Sequence, residues 1–177
     1  MKKILIVVDM QNDFISGSLG TEEARAVVPR VAKKIREFDG DELFVTYDTH
    51  FDNYPETLEG KKLPILHCLK GTSGHDIDPE IMRELSQKRY RDIFKNGFGT
   101  YEIAETLNRL YPDEDMEFEI AGLCTDVCVV TNALIIRAGY PDAVIRVDAL
   151  CCAGVTREGH AAALETMRNC QIDVLNA

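Results

Sequence analysis

No stretch of this sequence approaches the roughly 18–20 consecutive apolar residues that a membrane span requires, so no transmembrane segment is expected. The chain also lacks any C-x-x-C pair, the usual sign of zinc or thioredoxin chemistry. Its basic residues gather into no long stripe, and its formal net charge is −10. Phosphates are bound by clustered Lys and Arg, so neither nucleic acid nor an acidic membrane surface is expected as a partner. Internal repeats, low-complexity tracts and linkers are absent too. Met1-Lys2-Lys3 ahead of the apolar run 4–8 begins like a signal peptide, but Asp9 ends that run too soon. A cytoplasmic location is therefore expected, with the cysteines at 68, 124, 128, 151, 152 and 170 held as reduced thiols.

What is present reads as a single domain over 1–177, long enough to bury about 70% of its unfolded surface without disulfides or a structural metal. Short apolar runs alternate with helical patterns, the signature of βαβ units. Strands are expected over 3–8, 42–47, 92–94, 117–121, 143–147 and 173–175, and helices over 22–38, 79–87, 101–110, 126–138 and 157–169. The fold class is α/β: a three-layer α/β/α arrangement around a central, mostly parallel, six-stranded Rossmann-like sheet. Ile4-Leu5-Ile6-Val7-Val8 has no polar alternation, as in a central strand covered on both faces. Val27, Val31, Ile35 and Phe38 mark one face of the first helix. The stretch 49–77 breaks the rhythm, and an irregular segment that long in a compact domain is usually functional or mobile.

In an open parallel sheet, ligands sit at the carboxyl ends of the strands, beside the switch in strand order. That rule selects Asp9, Asp48 with His50, Lys95, and the segment 122–128. In Gly122-Leu123-Cys124-Thr125-Asp126-Val127-Cys128, the glycine permits a sharp turn, Thr125 is a candidate N-cap, and Cys128 falls in the first helical turn. A free thiol is only about 3% ionised at pH 7, and the positive end of a helix lowers its pKa. The unpaired N–H groups there can also stabilise an oxyanion. The bland reading, a small buried hydrophobe, stays open.

Asp9 suits a base, a metal ligand, a phosphate acceptor or a turn cap. A haloacid-dehalogenase-type phosphatase needs an aspartate two residues on, where Gln11 stands. Lys95 is either a charge partner or a solvated lysine, and the Gly97-Phe98-Gly99 that follows is too little for a phosphate loop. Asp48, His50, Glu59 and His67 are ligand types for zinc, manganese or iron, although loops also carry such residues in solvent. Alternation points Asp48 and His50 to one side. His75 and His160 read as structural or surface residues.

Val8-Asp9-Met10-Gln11-Asn12-Asp13-Phe14, Tyr47-Asp48-Thr49-His50, 63–68 with Gly71-Thr72, Lys95 and 122–128 together resemble the isochorismatase-like cysteine hydrolases over nearly the whole chain. The chain is most similar to the nicotinamidases among them. The resemblance implies a catalytic triad of Asp9, Lys95 and Cys128, with Cys124 not the attacking group. It further implies a cis peptide between Leu123 and Cys124, an oxyanion hole from the N–H groups of Cys124 and Cys128, and Phe14 lining a ring pocket. A divalent metal, zinc with manganese or iron as alternatives, would be held by Asp48, His50, His67 and Glu59, or by Glu56 in place of Glu59. The implied reaction converts nicotinamide or a related small carboxamide to the acid and ammonia through a Cys128 thioester, in NAD salvage.

One departure stands out: many nicotinamidases carry a tryptophan before the second metal histidine, whereas this chain has none and places Leu63-Pro64 there. Another amide, ureido or carbamoyl hydrolase and a non-catalytic domain are the competing readings. An isochorismatase, which cleaves an enol ether, is disfavoured by the cysteine at 128 and the candidate metal loop. A homo-oligomer is expected, as is common for small α/β enzymes.

Overall fold

The five apolar residues 4–8 are all buried, and they place β1 (Lys2–Val8) inside the sheet rather than at an edge. The computed structural model describes residues 1–177. After β1 come α1 (Asn12–Ile15), α2 (Glu22–Glu37), β2 (Glu42–Asp48), α3 (Leu58–Lys62), α4 (Pro79–Leu85) and β3 (Arg91–Lys95). The second half adds α5 (Glu102–Leu110), β4 (Met116–Leu123), α6 (Val130–Gly139), β5 (Val144–Ala153), α7 (Arg157–Asn169) and β6 (Asp173–Leu175). The six strands form one parallel sheet in the order β3-β2-β1-β4-β5-β6. The chain builds outward from β1 to β3, then returns to the other side of β1 with β4. The switch in strand order thus falls between β1 and β4.

Alternation along β1 sorts the core into two layers. Ile4, Ile6 and Val8 pack with Ile103 and Leu107 of α5, Ile136 of α6 and Met167 of α7. Leu5 and Val7 pack with Val31 and Ile35 of α2 and Leu85 of α4. The three-layer α/β/α expectation is borne out, with every expected strand and helix found.

The differences lie at ends and in loops. β5 runs on to Ala153, well past the expected 147. The stretch 49–77 contains a 3-10 turn at Tyr54–Glu56 as well as α3, whose Thr57 hydroxyl accepts from the Gly60 amide and caps it. The helix expected at 126 opens with a π-turn, Thr125–Val129, ahead of α6. Thr125 does not cap it. Cys124 holds the cap position, and the Thr125 hydroxyl is instead 2.8 Å from His160 Nδ1.

Gly122 pairs with Val8 across the switch and has φ of 126°. A Cβ there would lie 2.1 Å from the Val8 carbonyl oxygen, so the close approach of β4 to β1 requires glycine.

Candidate active site

Three strand ends converge at this switch. Asp9 follows β1, Lys95 ends β3, and Cys128 sits in the π-turn after β4; all three side chains are buried. β2 separates Lys95 from β1, so the lysine stem reaches across the end of β2 to arrive at Asp9. Lys95 Nζ lies 2.7 Å from Asp9 Oδ2, 3.5 Å from Cys128 Sγ and 3.7 Å from Asp48 Oδ1, and donates to the Gly97 carbonyl at 3.0 Å. Asp9 Oδ1 accepts from the Thr46 hydroxyl at 2.6 Å. Asp9 Oδ2 is ion-paired with Lys95 but accepts no aligned hydrogen bond. The backbone of Asp9 is left-handed, at φ of 47°.

Burial pushes the Asp9 carboxyl up, against the pull of Lys95. Burial disfavours the Lys95 ammonium as well, yet the negative charge offered by Asp9, Cys128 and Asp48 outweighs this and holds its pKa above the ordinary lysine range. Burial, then the charge of Asp9, raises the Cys128 thiol well above its ordinary value. This corrects the expectation that a helix end lowers it. The thiol is buried beside Asp9, and desolvation outweighs the pull of Lys95.

Cys124 and Cys128 both line a cavity of about 140 Å³, together with Phe14, Val127, His67 and Phe98. The peptide between Leu123 and Cys124 is cis. The Cys124 carbonyl accepts from the Val127 and Val129 amides at 3.1 and 3.0 Å, and the Cys124 amide finds no acceptor in the chain. Phe14 lies against the cavity with its ring 5.7 Å from His67. Leu63 also stands in the cavity wall.

Beside this cavity, Asp48, His50, Glu59 and His67 bring their ligand atoms within 4.8 Å of one another. His50 Nε2 is 3.0 Å from Asp48 Oδ2 and 3.7 Å from Glu59 Oε1; His67 Nε2 is 3.4 and 3.6 Å from the same two oxygens. His67 Nδ1 lies 2.8 Å from the Ile65 carbonyl, which directs Nε2 inward. Burial works against the His67 imidazolium, but Asp48 and Glu59 more than offset it and push its pKa up to about 10. Burial likewise works to raise the Asp48 carboxyl, but His50, His67 and Lys95 overcome this and lower it. Two imidazoles and two carboxylates that stabilise positive charge at their centre fit a divalent metal. Glu56 is exposed and lies outside the cluster.

Sequence reasoning missed several residues that hold the site together. Gln11 is fully buried: its Nε2 donates to the carbonyls of Asp48 and His75 at 2.9 Å each, and its Oε1 accepts from the Asp48 amide at 2.8 Å. Asp13 Oδ2 accepts from the amide of Cys68, next to His67. Tyr54 packs its ring 4.5 Å from His50 and 5.1 Å from His67. A buried polar side chain must find partners, so a glutamine three residues past an apolar strand was a usable signal. His75 is structural, its Nε2 3.0 Å from the Thr49 hydroxyl.

Fold and cavity together define a doubly wound α/β enzyme with a thiol at its switch point. The isochorismatase domain model matches residues 3–177, and the chain belongs to the isochorismatase family. It is 30% identical over 183 residues to the isochorismatase family protein PncA of Bacillus subtilis, covering 96% of each chain. To the nicotinamidase/pyrazinamidase of Mycobacterium tuberculosis it is 28% identical over 185 residues, covering 98% of each. The crystal structure of nicotinamidase PncA from Bacillus subtilis superposes with a TM-score of 0.86 at 25% identity, covering 99% of this chain and 100% of that one. The expected family is borne out, and with it the class of enzyme, a nicotinamidase-like hydrolase of amide carbon–nitrogen bonds. No helix is long and apolar enough to cross a membrane.

Proposed function

We propose that this chain is a metal-assisted cysteine amidohydrolase that converts nicotinamide, or a closely related ring carboxamide, to the acid and ammonia. One observation carries the reading: the Lys95 ammonium lies 2.7 Å from Asp9, 3.5 Å from Cys128 and 3.7 Å from Asp48, so thiol, base and metal cage share one charge centre. The relatives named nicotinamidase support the substrate.

Asp9 takes the proton from Cys128 as the thiolate attacks the carboxamide carbon. Lys95 stays charged and lowers the cost of placing negative charge on sulfur. The oxygen that becomes an oxyanion meets the amides of Cys124 and Cys128. Asp9 returns its proton to nitrogen as ammonia departs, leaving a thioester on Cys128. Water then attacks, with Asp9 accepting its proton; the carbon–sulfur bond breaks, Asp9 returns the proton to the departing Cys128 sulfur, and the acid is released. Asp48, His50, Glu59 and His67 would hold the divalent ion, zinc by donor type with manganese or iron as alternatives, and when bound it would supply Lewis-acid chemistry toward a ring nitrogen. Phe14 and Leu63 complete the apolar wall.

The reading makes residues 1–177 one hydrolase domain, cytoplasmic, acting in NAD salvage as a homo-oligomer, with neither nucleic acid nor membrane as a partner. Leu63 in place of an aromatic removes one stacking face, and this favours a second reading: another amide, ureido or carbamoyl hydrolase. Ammonia release from nicotinamide, pyrazinamide and carbamoyl compounds, with metal content measured on the same preparation, decides between them. Nicotinamide should turn over fastest. Release confined to ureido or carbamoyl compounds transfers the assignment to the second reading.

A further inference from the structure

Phe98 occupies a position that the chemistry above leaves unexplained. Its ring, 47% exposed, lines the inner cavity with Cys128 and also a larger outer cavity of about 470 Å³ that contains Asn53, Lys62 and Asn96. Phe98 and Glu59 are the side chains common to both, so they form the wall between them. Glu59 is tied to the metal cage. Phe98 stands on the turn 97–100, which belongs to no helix or strand.

That turn is held by Asn132, buried in α6 one turn beyond Cys128. Its Nδ2 donates to the Cys128 carbonyl at 2.8 Å and to the Phe98 carbonyl at 3.2 Å, while its Oδ1 accepts from the Thr100 amide at 3.2 Å. Both ends of one amide are used. The turn also presses on the helix: a Cβ on Gly99 would lie 2.6 Å from Ile135 Cδ1 and 2.7 Å from Thr131 Cγ2. Asparagine is a weak helix former, and burying its amide is costly unless every group is bonded. A helix that carries it inward, fully bonded to a turn with no regular structure, is built to fix that turn.

We propose that Asn132 is a positioning residue that clamps the 97–100 turn to the helix following Cys128, holding Phe98 as a partition that restricts the site to single-ring carboxamides. The substrate class rests on the carboxamidase reading; the clamp itself does not. Removing the clamp frees Phe98 to swing, and the inner cavity then opens toward the outer one.

The test compares the wild type with Asn132→Ala, Phe98→Ala and the double variant. Alkylation of Cys128 by iodoacetamide and by a bulky maleimide, followed on its own peptide by mass spectrometry, reads the partition without any substrate. The bulky-to-small rate ratio should rise about 10-fold in Phe98→Ala and about 5-fold in Asn132→Ala. The double variant should match Phe98→Ala alone, because the two residues act in series. With nicotinamide, KM should rise about 5-fold in either single variant while kcat stays within about 3-fold, and a bicyclic carboxamide should gain in kcat/KM.

An unchanged ratio in either single variant overturns the proposal, as do effects that multiply in the double variant. A fall in kcat at constant KM overturns it too, because Asn132 would then act through Gly97 and Lys95. Should Asn132→Ala not fold, the isosteric Asn132→Asp sets a carboxylate against two carbonyl oxygens and reads the same ratio. If the wild type releases no ammonia from nicotinamide, the carboxamidase reading fails while the alkylation ratios still decide the clamp.

Discussion

Cys128, Asp9 and Lys95 each stand at or just past a strand end, whereas His50, Glu59 and His67 of the candidate metal cluster lie in the stretch that follows β2. The first cluster is assembled by the sheet. Parallel strands in register bring their carboxyl ends together whatever the intervening chain does, and Lys95 needs only its long stem to cross β2. The second cluster has one strand-borne member, Asp48, and draws the others from chain that makes few backbone ladders. It relies on side chains for its shape: Gln11 on both sides of Asp48, Asp13 beside His67, and the Tyr54 ring against both histidines. A group carried on strand ends inherits the rigidity of the sheet; a cluster in a loop is ordered by the side chains that clamp it.

The sharpest attempt to break this contrast is a crossed pair of substitutions. Cys128→Ala should lower ammonia release by at least about 10⁴-fold while metal analysis finds the wild-type content. His67→Ala should lose the metal while Cys128 is still alkylated. Loss of metal from the Cys128 variant would mean that the two clusters form one cooperative unit.

A smaller effect is expected at the clamp. Gln11→Ala should weaken metal binding about 10-fold, the usual scale for a residue that orients a ligand, and lower stability by about 1–3 kcal/mol through lost buried hydrogen bonds. Metal titration and thermal melting measure both. A melting change with metal affinity untouched would reduce Gln11 to a packing role.

The mildest test concerns pH. In the proposed reaction Asp9 takes the thiol proton as a carboxylate, and burial raises its pKa. Activity should therefore be present above that raised value and disappear as pH falls through it, so the acid limb of kcat/KM lies above the ordinary carboxylate value of about 4. Lys95 pulls Asp9 downward, and Lys95→Gln should move the limb further up. A pH profile of the variant whose limb moved down would contradict the shared charge centre.

The sheet-borne half of the site was legible because its logic is local. Apolar runs, helical periodicity and the first residue past each strand suffice to line up Asp9, Asp48, Lys95 and the 122–128 turn. The thiol's environment was not legible in the same way. A helix start promises a low pKa, but the raised one comes from burial beneath other elements, which no local spacing encodes. The partners of the clamps were hidden for the same reason. Gln11 reaches residues 37 and 64 positions away, and Asn132 holds a turn more than 30 positions earlier. The π-turn at 125–129 was missed because apolar periodicity does not separate it from an ordinary helical start; within it the Thr125 hydroxyl meets His160.

The contact between Gly122 and Val8 bears on how such a protein can change over generations. Position 122 has no room for a side chain, so every single-nucleotide step away from glycine is closed to it unless β1 or β4 moves first. Phe98, half exposed on a turn, meets no such barrier. Substitution is therefore tolerated more readily on that exposed turn than at the β1–β4 seam.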